Sequence, residues 1–376
     1  MSTSKLHWPI GIILGLLAAL AVMPLLGHGS AKAESTVGPA IADCDGAIRE
    51  LVIQYTPDSA EIVLNPYREF LRQLPADVIV HVVCREQADF DALAAHVGKT
   101  ACKLNPVLVD HELTSWSRDR WVALAPAGSA SAFTLLTPKG ELGADVWAAR
   151  KGDERIAEDL AGALPDIAAF RSELFFDGGD LVGDGETYFV TPNVRLRNLH
   201  ITVKTEEELQ RRLEELLGRK VVLLRDAPDH HACMYMMPVG DRTVVVGDPR
   251  MARDMLTADE IAGLPIPKGA DFSEATLAKF DAVAEQCREA GYTVKRIPLA
   301  PGNDGRVFLT PVNAILDQRD GKRTVYMPRF DHADKLNAAA AHVWQELGYE
   351  VRPVDCSDCY KYSGSLRCLV NVLRRG

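Results

Sequence analysis

Four short stretches place groups that can hold, attack or protonate a substrate in apolar or glycine-rich company. They are Trp116-Ser117-Arg118-Asp119-Arg120-Trp121, Phe175-Phe176-Asp177-Gly178-Gly179-Asp180-Leu181, Asp229-His230-His231-Ala232-Cys233-Met234 and Gly364-Ser365-Leu366-Arg367-Cys368. Together they offer a thiol, an imidazole and several carboxylates. A guanidinium is a planar fork of donors that stays charged in water, and carboxylates match it bidentately. Held that way, its central carbon lies open to a thiolate, while an imidazole delivers and takes protons as an amine leaves and water enters. Papain-like and trypsin-like hydrolysis fit less well, because neither needs a cluster of acids. Each stretch also has a plainer reading. Asp119 can pair with Arg118 or Arg120, Asp177 and Asp180 suit a turn beside glycine, and a thiol in a terminal strand can pack as a small hydrophobe.

Such groups need rigid elements to converge, and the periodicity supplies them. Ser273 caps a helix that runs to about Ala290, Gly291 ends it, and a strand follows from Tyr292 to Ile297. The unit recurs as a helix over Asp331–Leu347, Gly348, and a strand over Tyr349–Val354. Thr205 and Glu208 form a capping box for a third helix, with Leu209, Leu213, Leu216 and Leu217 on one face, ended by Gly218 and followed by Val221–Leu224. Two weaker copies lie upstream, Pro66–Leu74 into Asp77–Cys84 and Arg155–Leu164 into Glu173–Phe176. Asp184-Gly185, Gly240-Asp241 and Asp320-Gly321 are hairpin signals between the helical units. Five helix, strand and hairpin units suggest closure around an axis, since no unit alone buries its apolar face. An ordinary doubly wound α/β sheet is the alternative that periodicity leaves open.

With 47% hydrophobic and 25% charged residues over 376 positions, the chain has ample length for a large core. A net charge of −10 and scattered Lys and Arg argue against nucleic acid as a partner and favour cationic small molecules or peptides. Lys5 and His7 precede an apolar run over Ile10–Leu26, and Ala31-Lys32-Ala33 offers a signal-peptidase pattern before Glu34. The expectation is export, to a periplasm or beyond, with residues 1–33 removed; an uncleaved membrane anchor over residues 10–26 is the alternative. Eight cysteines in an exported chain make disulfides an expectation, with Cys84 and Cys102 or Cys356 and Cys359 as near pairs. The Cys356-Ser357-Asp358-Cys359 stretch lacks the strand-then-helix context of a redox motif and is read as structural.

In that order, Trp-x-Arg-Asp, Phe-Asp-Gly-Gly-Asp, a His-bearing segment and a final Gly-x-x-Arg-Cys resemble the guanidine-modifying enzymes, which include agmatine, arginine and peptidylarginine deiminases and the amidinotransferases. The resemblance runs from about residue 48 to the end. It implies an α/β fold of the pentein type, a five-bladed propeller with pseudo-fivefold symmetry, as one catalytic domain over 48–376. It further implies Cys368 as nucleophile through a covalent thiouronium, Asp119 as a guanidinium-binding acid, and His231 as the catalytic histidine, with His230 as the fallback. Asp177 or Asp180 stands where the family has an acid beside its glycine pair, more often Glu. Trp116 and Cys233 complete the expected substrate-binding set. The implied substrate is a guanidino-containing small molecule or an arginine-containing peptide, and no cofactor or metal is called for.

One position departs from the family. The pattern His-x-Asp, whose Asp is the second guanidinium clamp, is here His231-Ala232-Cys233. One missing charge-assisted contact costs on the order of 1.5–3 kcal/mol. If Cys233 lies near Cys368 the two could join in a disulfide, and His231, Cys233 and Cys368 could alternatively ligate zinc, although the surrounding acids do not make a tidy ligand set. Besides a deiminase, the sequence leaves open an amidinotransferase, which shares the covalent step, and a catalytically degenerate pentein that only binds.

Overall fold

The computed structural model describes residues 37–128, 132–141 and 146–376. The helix-then-strand units of the sequence are each built into a sheet of one pattern: an antiparallel hairpin, a helical connection, then a strand parallel to the second hairpin strand. Met236–Gly240 pairs antiparallel with Thr243–Asp248, the helix Glu274–Glu289 crosses, and Thr293–Pro298 returns parallel. Ile315–Arg319, Lys322–Arg329, the helix Asp334–Glu346 and Tyr349–Asp355 repeat it. So do Leu181–Gly183, Thr187–Val190, the helix Glu206–Leu217 and Lys220–Leu223, and Val122–Pro126, Phe133–Thr137, the helix Ile156–Ala163 and Ile167–Arg171. The remaining sheet joins distant parts of the chain: Val370–Arg375 pairs antiparallel with Ile48–Gln54, which runs parallel to Ile79–Cys84 and, through it, Lys103–Leu108. The architecture is mixed α/β.

Local chemistry explains the repeated unit. The Thr205 hydroxyl accepts from the Glu208 amide, Leu209, Leu213 and Leu217 form the buried stripe, and Gly218 ends the helix in the left-handed region at φ 59°. Ser273 likewise accepts from the Thr276 amide. The hairpins turn on consecutive left-handed residues, Asp241 with Arg242 and Asp320 with Gly321, the conformation that matches strand twist. The connection at Asp184-Gly185 is held by the Asp184 carboxylate, which accepts from the Glu186 and Thr187 amides.

Several sequence expectations shift. The second unit's returning strand is Ile167–Arg171, and Glu173–Phe176 is irregular. Phe175 and Phe176 look strand-like, but they lead the chain into the acid-bearing turn. The first helix starts at Ala60, upstream of Pro66, which lies inside it on the buried face with Val63, Tyr67, Phe70 and Leu71; packing of that stripe overrides the proline. Strand Val37–Ala40 pairs with Val122–Pro126, so the fold extends upstream of residue 48. All eight cysteines are buried free thiols, Cys84, Cys102, Cys356 and Cys359 among them, and none is joined in a disulfide. The apolar run Ile10–Leu26 and the expected cleavage pattern lie outside the described residues.

The repeat has one consequence for chemistry. The first strand of each hairpin is preceded by a short irregular joint, and each joint carries polar or sulfur-bearing side chains. Asp119 precedes Val122–Pro126, Asp177 and Asp180 precede Leu181–Gly183, His231 and Cys233 precede Met236–Gly240, Asn313 precedes Ile315–Arg319, and Cys368 precedes Val370–Arg375.

Candidate active site

The joints interlock through backbone bonds. The Arg118 amide donates to the Cys368 carbonyl at 3.2 Å, the Gly178 amide to the Asp119 carbonyl at 2.7 Å, and the Arg367 amide to the Asn313 carbonyl at 3.1 Å. Two glycines permit the closeness. A Cβ on Gly179 would stand 2.5 Å from Nδ1 of His231, and one on Gly364 would stand 2.4 Å from the Trp116 ring. Both positions therefore need a residue without a side chain, because a neighbour in a packed core cannot retreat by that much.

On the sulfur side, Cys368 sits on a short helical turn over Leu366–Leu369 and is buried with Cys233. The Asn313 side-chain amide bridges them, its Nδ2 lying 3.3 Å from the Cys233 sulfur and 3.4 Å from that of Cys368. A hydrogen bond from the Cys233 thiol and the contact and charge of His231 hold the Cys368 thiol down to about 5, against burial, which alone would raise it. The Cys233 thiol moves up, because it donates to Cys368 and is itself fully buried. His231 is held well above the usual imidazole range: burial works against the charge, but Asp177 and Cys368 contact the ring and Asp119 and Asp180 lie near. The ring is 3.8 Å from an Asp119 oxygen through Nδ1 and 3.6 Å from an Asp177 oxygen through Nε2. His230 does not stand in for it. Its Nδ1 accepts from the His231 amide, its ring packs against Phe308, and burial depresses it to about 3.

On the carboxylate side, Asp119 pairs with neither Arg118 nor Arg120. Arg118 bonds Asn371 and the Leu181 carbonyl, and Arg120 reaches Glu141 and Asp177. The partner of Asp119 is Arg150, whose NH1 donates to Oδ2 at 2.5 Å while its NH2 donates to Oδ1 of Asp177 at 3.0 Å. A guanidinium thus already bridges the two acids. Asp177 also receives Arg197 at 3.1 Å. Burial would raise its carboxyl, but His231 and these arginines hold it well below the usual carboxylate range. Asp180 stands behind it. Asp180 accepts from Thr191 Oγ1 at 2.9 Å and from the Asp177 amide at 3.0 Å, and burial raises its carboxyl.

The structure therefore brings Asp119, Asp177, His231, Cys233 and Cys368 together, with Asp180 as a support. Trp116 packs on Gly364 and lines a cavity of about 580 Å³ together with Ser115, Trp147 and Ala149. None of Asp119, Asp177, His231 and Cys368 lines that cavity, although Ala149 is the chain neighbour of Arg150. Sequence reasoning missed two residues of the site. Asn313 had a usable signal, since it occupies the fourth of five joints, and the other four were all singled out. Arg150 had none, being one arginine among many near a short helix.

The sequence model of the Porphyromonas-type peptidyl-arginine deiminase family matches residues 53–372. The chain belongs to this family. Its members' chemistry is hydrolysis at a guanidino group. No curated protein sequence matches. Among solved structures, the agmatine deiminase of C. jejuni has a TM-score of 0.67 at 13% identity, covering 90% of this chain and 96% of that one. A cysteine-to-serine form of that enzyme with substrate bound gives 0.67 at 14% identity, with the same coverage. The agmatine deiminase of Enterococcus faecalis gives 0.61 at 12% identity, covering 90% and 96%. At these identities the likeness is one of fold.

Proposed function

We propose that this chain is a deiminase that hydrolyses the guanidino group of a small molecule or an arginine residue, with Cys368 as nucleophile. The observation that carries the reading is the pairing of a lowered Cys368 thiol with a raised His231 imidazole beside the acids Asp119 and Asp177, which already hold a guanidinium. In this reading the substrate guanidinium displaces that of Arg150 and takes up its bonds to the two acids. The Cys368 thiolate attacks the central carbon, forming the C–S bond. His231, protonated at the outset, gives its proton to the departing nitrogen, and ammonia leaves a thiouronium. The neutral imidazole then takes a proton from water as its oxygen attacks the same carbon. The C–S bond breaks and the hydroxyl proton is lost to solvent, where ammonia takes it up as ammonium, leaving a ureido product and a free thiolate. Asn313 steadies the sulfur by donating to it.

The pentein architecture belongs to the same proposal: the five sheets of one pattern close into a five-bladed propeller, and their joints meet at its axis. Closure by the last strand pairing with Ile48–Gln54 supports it. Export through residues 1–33, with a substrate met outside the cytoplasm, also belongs here, on the apolar run and small-residue pattern of the N-terminus.

A second reading has its own observation. Cys233 stands where the family has its second clamp acid, and Arg150 already occupies the first, so a chain that binds without turnover is the rival. Incubating the chain under reducing conditions with agmatine, arginine or an arginine-containing peptide, beside Cys368→Ala, separates them. Ureido product that vanishes in the variant is expected; ligand binding without product from any of the three would establish the binder.

A further inference from the structure

Replacing the family's acid at position 233 with cysteine does more than remove a charge. The ligand atoms of His231, Cys233 and Cys368 lie within 4.8 Å of one another. The thioether sulfur of Met234 is 3.9 Å from the Cys368 sulfur and fully buried. One imidazole and two thiols around one point, with a thioether beside the Cys368 sulfur, form a set that carboxylate-preferring ions such as Mg²⁺ or Ca²⁺ bind poorly and soft ions bind well. From these residues we infer a binding site for a thiophilic d¹⁰ cation, Zn²⁺ or Cu⁺, made by His231, Cys233 and Cys368, with the Met234 thioether beside it.

The surroundings suit such an ion. Two thiolates and a neutral imidazole match the three-protein-ligand pattern of zinc sites that keep a fourth position open. The imidazole has a carboxylate within 4 Å of each ring nitrogen, Asp119 on Nδ1 and Asp177 on Nε2. Whichever nitrogen faces the metal, the other finds the acceptor that fixes a metal-bound histidine. The Asn313 Nδ2 donates toward both sulfurs, the arrangement that stabilises coordinated thiolate. The acids that made the ligand set untidy in the sequence are otherwise engaged, since Arg150 bridges Asp119 and Asp177 and Thr191 holds Asp180. With an ion in place the Cys368 sulfur is no longer a free nucleophile, so metal and guanidine carbon compete for one atom. The site stands whether or not the hydrolase reading does.

Fully reduced chain, kept in a non-thiol reductant, is titrated with Zn²⁺ alone against a chromophoric chelator and with Cu⁺ against a Cu⁺-specific one, and Co²⁺ is added separately as a reporter. One equivalent bound is expected, with a thiolate-to-cobalt charge-transfer band that is halved in Cys233→Ser and in Cys368→Ser. Preference for Cu⁺ that falls in Met234→Leu would assign the thioether. Thermal melting of each variant checks that it is folded, and alkylation of Cys368 in the wild type should slow when the metal is present. Binding that survives in both cysteine variants, or no tight binding by the reduced wild type, overturns the site; neither result touches the deiminase assay, which is run without added metal.

Discussion

The sulfur side and the carboxylate side of the site are built in opposite ways. Around Cys368 the close partners are an uncharged amide, a second thiol and one imidazole, and the proposed nucleophile is already lowered without any substrate. Around Asp177 stand three arginines, at 3.0, 3.1 and 3.5 Å. A buried carboxylate without a partner is costly. The acids can therefore be kept dry and ready only if the chain lends them a guanidinium of its own. The buried charge of the Cys368 thiolate is met from within the chain, by His231 and by the Cys233 thiol, so the sulfur side needs no stand-in. On the proposed mechanism, binding is an exchange of one guanidinium for another, while the chemistry after binding needs no exchange at all.

The comparison can be broken most severely at His231, which touches both sides. His231→Asn should lower turnover by about 10²- to 10⁴-fold and shift the pH dependence. With His231 present, the Cys368 thiolate forms above about 5, so alkylation by iodoacetamide should persist down to that pH and fall below it. Without the imidazolium the thiol loses a stabilising charge, and the same limb should move upward in pH. An unmoved limb would mean that the sulfur side does not depend on the imidazole.

Asp119→Asn tests the carboxylate side alone. Loss of one charge-assisted contact, on the order of 1.5–3 kcal/mol, corresponds to about a 10- to 150-fold drop in kcat/KM, while iodoacetamide reactivity of Cys368 should change little. Equal losses in both measurements would show the two sides to be one unit. The smallest effect is the most telling. Arg150→Gln removes the competing guanidinium and should lower KM by about two- to fivefold, the scale of a partly exposed ion pair. A KM that rises instead would make Arg150 a substrate-binding residue, not the placeholder.

Much of the frame was legible because its signals are local. Capping hydroxyls at Thr205 and Ser273, the left-handed glycines 218, 291 and 348, and paired turn residues at 241 and 320 act within a few residues of themselves. The strand placed at Glu173–Phe176 failed for the converse reason. Phe176 is buried and Phe175 half-buried by tertiary packing of the turn, a demand that looks the same as strand propensity in a single sequence. Asp119, Asp177, His231, Cys233 and Cys368 were found as unusual residues in unusual company. Asn313 was passed over because an asparagine near a proline looks like any loop. Counting joints rather than unusual residues would have reached it.

What the sequence by itself determined is the unit and most of its repetition: where the capped helices stop, where three of the hairpins turn, and four of the joints that carry reactive side chains. Tertiary structure decided what those joints do to one another. Arg150 and Asp119 are 31 residues apart, and Asn313 and Cys368 are 55 apart. No local signal links such positions; only the packing of separate sheets sets the ångström distances on which a guanidinium bridge, a lowered thiol and a shared pair of sulfurs depend.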